Sequence, residues 1–157
     1  MKKGALLGAL ALSAAGWLMP GTASASGPAV IQNEDVTGDT LVNPCNGDTV
    51  TITSGTFQIV VHETATPSGG YHLIVEGNAH GVKGVGTDGA SYQAPGGFWT
   101  ETNATPGAQV TTQVDVLNVI GGGDTPNFRS VGTLHLTVDG NGNVTAFIDH
   151  VTETCTT

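Results

Sequence analysis

From residue 48 onward the chain alternates apolar and polar residues with a period of two, in stretches rich in Val, Thr and Ile. No i, i+3, i+4 apolar pattern persists anywhere after residue 25. Alternation of this kind sends successive side chains to opposite faces of a strand, so the pattern predicts an all-β domain. DTVTITS (48–54) reads as one strand, with Val50 and Ile52 on one face and Thr49, Thr51 and Thr53 on the other. TFQIVVHE (56–63) groups Phe57, Ile59 and Val61, and the segment after it groups Tyr71, Leu73 and Val75. Matching these two apolar faces pairs Glu63 with Tyr71 across a loop of residues 64–70. Val61 then faces Leu73 and Ile59 faces Val75, while His62 meets His72 on the opposite side.

The later segments carry stronger turn signals. Asp88-Gly89 marks a tight turn, because Gly tolerates positive φ. Gly84-Val85-Gly86, just before it, superficially suggests a phosphate loop, but no helix follows and the spacing is neither Rossmann nor Walker. It reads as strand, bulge and turn. Pro95-Gly96-Gly97 interrupts the pattern ahead of a strand in FWTETNA (98–104). In GAQVTTQVDVLNVIG (107–121) Val110, Val114 and Val116 share one face and Leu117 and Val119 the other, which predicts a β-bulge near Val116. Beyond the flexible GGGDTPN, the segments FRSVGTLHLTV and NVTAFIDHVTETC flank Asp139-Gly140-Asn141-Gly142 and predict a hairpin. Pairing Val138 with Val144 sets Leu136 against Ala146 and Leu134 against Ile148, and puts His150 opposite Gly132 on the apolar side. Seven or eight strands in about 110 residues suit an antiparallel, calycin-like barrel or a two-layer β-sandwich. The scarcity of charged residues for edge protection favours the barrel.

The beginning of the chain changes the compartment. Lys2 and Lys3, an apolar run from Gly4 to Met19 and the small residues Ala23-Ser24-Ala25 predict a signal peptide over 1–25. Residues 26–47, rich in Gly, Pro and Asn, read as an extended N-terminal segment, and 48–157 as a single β domain. No segment after residue 25 approaches the roughly 20 apolar residues that span a bilayer as a helix. The expected product is therefore secreted and extracellular. Cleavage would remove two of the four basic residues, leaving Lys83 and Arg129 against 13 carboxylates. Such a balance argues against phosphate-backbone binding and against adhesion to anionic lipid. It fits self-repulsion that keeps a protein soluble, or acidity tuned to capture cations. Two cysteines in an exported chain predict one disulfide, Cys45 to Cys155, and their spacing fits no CxxC redox or zinc motif.

The candidate chemistry is sparse. Directly opposed residues on antiparallel strands have Cβ atoms roughly 4.5–5.5 Å apart, so His62 and His72 in the predicted register could share Zn or Cu. Glu76 lies about 13 Å along the strand from His72, too far to complete that site. A third ligand would have to come from another strand, through His135. His150, placed among apolar side chains, is a candidate to bind a ligand or act as a general base. Glu63, Glu101 and Asp115 form no diagnostic pair. There is no G-x-S-x-G, no H-E-x-x-H and no free cysteine once Cys45 and Cys155 pair. No pattern requires a cofactor.

The order NPC (43–45), GGYH (69–72), GVKGVG (81–86), SYQ (91–93), TLHLTV (133–138) and a terminal Cys155 resembles small secreted β-rich proteins of high-GC Gram-positive bacteria. That resemblance implies export and β architecture and supplies no active site. The expected function is a secreted, non-enzymatic module for a small apolar ligand or another extracellular surface component. Two alternatives stand beside it: a barrel-type isomerase or cyclase using a lumenal histidine or carboxylate, and a metal-capturing protein.

Overall fold

The computed structural model describes residues 29–156; the predicted signal peptide lies outside them. The chain is all-β, a single antiparallel sheet closed by one disulfide. Its strands are β1 (Val30–Asp35), β2 (Thr40–Val42), β3 (Thr49–Ala65), β4 (Tyr71–Gly86), β5 (Ser91–Gln93), β6 (Gly96–Thr105), β7 (Ala108–Gly121), β8 (Asn127–Val138) and β9 (Val144–Thr156). These nine strands occupy seven columns. β1 and β2 both line β3, at residues 56–61 and 49–51. β5 and β6 likewise share the place between β4 and β7. Ala94 and Pro95 carry the ladder through that break, by Ala94 N–H to Val82 O at 3.1 Å and Asn118 N–H to Pro95 O at 2.9 Å. The segment 26–47, expected as a simple lead-in, thus contributes two short strands to the edge of the sheet.

The sheet curls towards a ring, and its first and last columns meet at one end without sharing a ladder. Cys45, in the turn between β2 and β3, bonds Cys155 near the end of β9. Beside it the fully buried Asn43 donates from Nδ2 to Pro126 O at 2.9 Å and accepts from Cys45 N–H at 2.9 Å. The core lies at this same end: Val36, Val50, Ile52, Val82, Tyr92, Ala94, Val119 and Phe128 are buried together, with Leu41, Phe57, Ala79 and Leu117 packed against them. We call the face that bears this core the inner face.

Three local features decide which residues share it. Near the middle of β3 and β4 the register shifts on either side of Ser54, and Gly55 and Gly81 both take positive φ there. Val50, Ile52 and Val82 point inwards before the irregularity; Phe57, Ile59, Val61, Val75 and Ala79 do so after it. The parity of the inner face has changed from even to odd. Second, β3 and β4 pair with Ala65 opposite Tyr71, not Glu63, so Val61 meets Val75 and His62 meets Ile74. Both registers match apolar faces, and the turn chooses between them. Thr66 N–H bonds Gly70 O at 2.9 Å, and the Thr66 hydroxyl accepts from Gly70 N–H at 3.0 Å, closing a tighter loop than 64–70.

Third, the β8–β9 hairpin begins with Val138 opposite Val144 as expected, but Thr137 then pairs with Ala146. Thr145 is one residue too many, a bulge that turns every later side chain of β9 to the other face. Leu136 accordingly meets Phe147, Leu134 meets Asp149, and His150 meets Thr133. The bulge expected near Val116 does not occur: β7 pairs with β6 and β8 without a shift. Val110, Val114 and Val116 face outwards and Leu117 and Val119 face inwards, because only that end of the strand reaches the core.

Candidate ligand-binding face

Past Phe57 and Leu117 the inner face continues without a filled core. Ile59 and Val61 on β3, Leu73 and Val75 on β4, and Leu134 and Leu136 on β8 share this face and remain half-buried. At its inner limit Phe57 and Phe98 stack at a tilt, with ring centroids 6.3 Å apart. Between the two aliphatic flanks runs a polar strip. Gln109, Thr111, Gln113 and Asp115 of β7 alternate inwards, facing Thr102 and Thr100 of β6. The hydroxyls of Thr102 and Thr111 are 3.0 Å apart, and Gln109 Nε2 donates to Thr111 Oγ1 at 3.2 Å.

Asp115 lies at the inner end of the strip, between Phe98 and Gly132 in the cross-strand row. Gln113 Nε2 donates to both of its oxygens, at 2.9 and 3.1 Å. A Cβ at Gly132 would approach Oδ2 to 3.2 Å, so the glycine makes room for the carboxyl. Burial pushes the Asp115 pKa up, and the Gln113 hydrogen bond opposes this without reversing it. One residue row further in, Ser130 Oγ is buried without a hydrogen-bond partner. The arrangement is thus a pair of aliphatic flanks, edged by the exposed carboxylates of Glu63 opposite Leu73 and Asp149 opposite Leu134, with a half-buried carboxyl, an amide and an unpartnered hydroxyl at the inner end. Chemically it can hold an apolar body and hydrogen-bond one polar terminus.

The carboxylate of Asp48 shows the contrasting case at the core. Asp48 accepts from Thr87 N–H at 2.9 Å, from the Thr87 hydroxyl and from the Tyr92 hydroxyl at 3.1 Å. Its pKa is lowered, chiefly by the Thr87 hydroxyl. This group is a structural anchor between the β4–β5 turn and the start of β3.

The histidines singled out from the sequence lie elsewhere. His62, His72, His135 and His150 all occupy the outer face, as does His80 opposite Thr56. His62 and His72 are not directly opposed; His72 faces Thr64 and bonds Glu101 Oε1 at 3.0 Å. Glu101 is lowered by hydrogen bonds from Asn103 and then from His72. His135 Nδ1 lies 3.1 Å from the Thr112 hydroxyl. His150, expected among apolar side chains, is exposed, with Nε2 at 3.0 Å from the Thr152 hydroxyl. No group of three or more His, Cys, Asp or Glu able to hold a metal ion occurs among the described residues. No helix among the described residues is long and apolar enough to cross a membrane. No protein-family model, curated protein or solved structure matches the chain.

Proposed function

We propose that the chain is a secreted binding module that holds a small, predominantly apolar ligand against the inner face, with its polar end at Asp115, Gln113 and Ser130. The observation that carries this reading is the abrupt end of the core: the same face is packed solid below Phe57 and Leu117 and half-exposed above them. Small-molecule sites have this composition, apolar walls with a few convergent polar groups and a perturbed carboxyl. Export is supported by the charged, apolar and small-residue pattern of 1–25 and by the disulfide. The test is titration of the exported, oxidised protein with a neutral naphthylamine probe whose emission rises in apolar surroundings. One saturable site is expected, weakened about tenfold in Leu134→Gln through loss of roughly 1.5 kcal/mol of apolar contact. A linear, non-saturating rise that is unchanged in Leu134→Gln would exclude the inner face.

The raised Asp115 favours a second reading, the isomerase or cyclase with a lumenal carboxylate. Burial raises this carboxyl above the ordinary aspartate value and so makes it a stronger base than an exposed one, as a proton-transferring group requires. Once a substrate is identified, Asp115→Asn must abolish turnover while leaving its binding within about twofold; unchanged turnover removes this reading.

A further inference from the structure

The outer face carries a separate concavity, centred on a missing side chain. Gly97 of β6 lies between Asn78 of β4 and Val116 of β7, and the adjacent row on the same face reads Glu76, Trp99, Val114. Five side chains thus surround a position that has none. The result is an open cleft of about 420 Å³, within the size range of small-molecule sites. The glycine is required by the fold, because a Cβ there would lie 2.5 Å from Gly77 O.

The walls differ in chemistry. Trp99, half-buried, faces Glu76 directly across the strand pair, a separation of roughly 4.5–5.5 Å between Cβ atoms. Val114 and Val116 form the apolar side, and the Asn78 amide closes the other. Among the described residues the one ion pair is His72 with Glu101, so Glu76 has no cationic partner. An indole face attracts cations through its quadrupole, and a carboxylate beside it supplies the counter-charge. The field of the whole molecule has the same sign. After residue 25 the chain has only Lys83 and Arg129 against 13 carboxylates, and neither basic residue lines the cleft.

We propose that the Gly97 cleft binds a small organic ammonium cation, with the charged nitrogen over Trp99 and beside Glu76 and its alkyl groups against Val114 and Val116. A neutral sugar could stack on the indole and donate hydroxyl hydrogen bonds to Glu76 and Asn78, but it would gain nothing from the charge of the carboxylate or of the whole molecule. The site lies on the opposite face from the Asp115 strip, so this inference stands whether or not that strip binds a ligand.

Trp99 is the sole tryptophan after residue 25, and its fluorescence therefore reports the cleft directly in the processed protein. The experiment titrates that protein with choline chloride, and in parallel with 3,3-dimethylbutanol, choline's uncharged isostere, and with glucose, at constant ionic strength. A saturable response to choline is expected, with no saturation by either neutral probe. Glu76→Gln should weaken choline binding about fivefold, as for an exposed ion pair. Trp99→Leu, followed by calorimetry, should weaken it about tenfold or more. Circular dichroism verifies that both variants fold. Co-sedimentation with phosphatidylcholine vesicles then assigns the natural source to a lipid headgroup, and its absence with choline still bound assigns it to a free cation. No saturation by choline, equal affinity for the uncharged isostere, or tighter binding of glucose would each overturn the proposal.

Discussion

Two inward carboxylates shielded from solvent, Asp48 and Asp115, shift in opposite directions, and the donors around them account for the difference. Asp48 receives a backbone N–H and two hydroxyl groups, whereas Asp115 has only the Gln113 amide. Since the folded-state pKa of Asp115 is raised, between the unfolded and folded values the native chain keeps a proton that the unfolded chain has released. That proton stabilises the fold below the unfolded value, and the contribution disappears as pH rises through the folded value. Asp115→Asn is therefore expected to raise Tm at pH 7, with the gain shrinking as pH falls towards 4; thermal melts across that range check it. Asp48 has the reverse sign: its contribution is present above the unfolded value and is lost as pH falls through the lowered one. Removing one of its donors by Tyr92→Phe should cost about 0.5–1.5 kcal/mol at pH 7 in urea denaturation. An unchanged midpoint would mean that the Tyr92 hydroxyl is satisfied elsewhere.

At the level of the strand, single residues decide the faces. Periodicity made the strands after residue 48 legible from sequence, though not β1 and β2; glycine dipeptides marked the Asp88-Gly89 and Asp139–Gly142 turns, and the count of two cysteines gave the Cys45–Cys155 bridge. It did not reveal that Thr145 is a bulge, and this one residue carries His150 from the predicted interior to the exposed outer face. Nor could it choose between two β3–β4 registers of equal parity, since a Thr66 hydroxyl bond makes that choice. Asp115 was missed for a related reason. Gln109, Thr111, Gln113 and Asp115 look like a solvent-facing series, and the available signal was that Leu117 and Val119 continue their parity into the core. The paired irregularity at Gly55 and Gly81 yields a graded prediction. An Ala at Gly81 (φ +61°) meets open space and should cost about 1–2 kcal/mol from backbone strain alone. An Ala at Gly55 (φ +130°) would also place its Cβ 2.5 Å from Val82 Cα, so its loss should exceed that of Gly81→Ala. Chemical denaturation of the two variants side by side checks the order.

For the molecule as a whole, the disulfide replaces a ladder. β1 and β9 are the outermost columns and pair with nothing on their far sides among the described residues. Both carry exposed apolar side chains: Ile31 and Phe147 are each 61% accessible, Ile148 57% and Val30 52%. Long exposed apolar edges are templates for pairing with other chains. What keeps the two columns together at one end is the Cys45–Cys155 bond, a closure of 110 residues, while Asn43 ties the same turn to Pro126 ahead of β8. In the chain-entropy description a loop of that length is worth about 4–5 kcal/mol. Replacing both cysteines by serine should therefore lower Tm by well over ten degrees, at the usual conversion of about 3–6 °C per kcal/mol for a chain of this size. It should also free the end of β9 from the β2–β3 turn, and sedimentation velocity should show association that grows with concentration. If β9 is the adhesive edge, adding Ile148→Lys to the double serine variant suppresses that association without restoring Tm, because a charge blocks edge pairing and does nothing for loop entropy. Association that survives the lysine would move the adhesive edge to β1, where Ile31→Lys is the corresponding change.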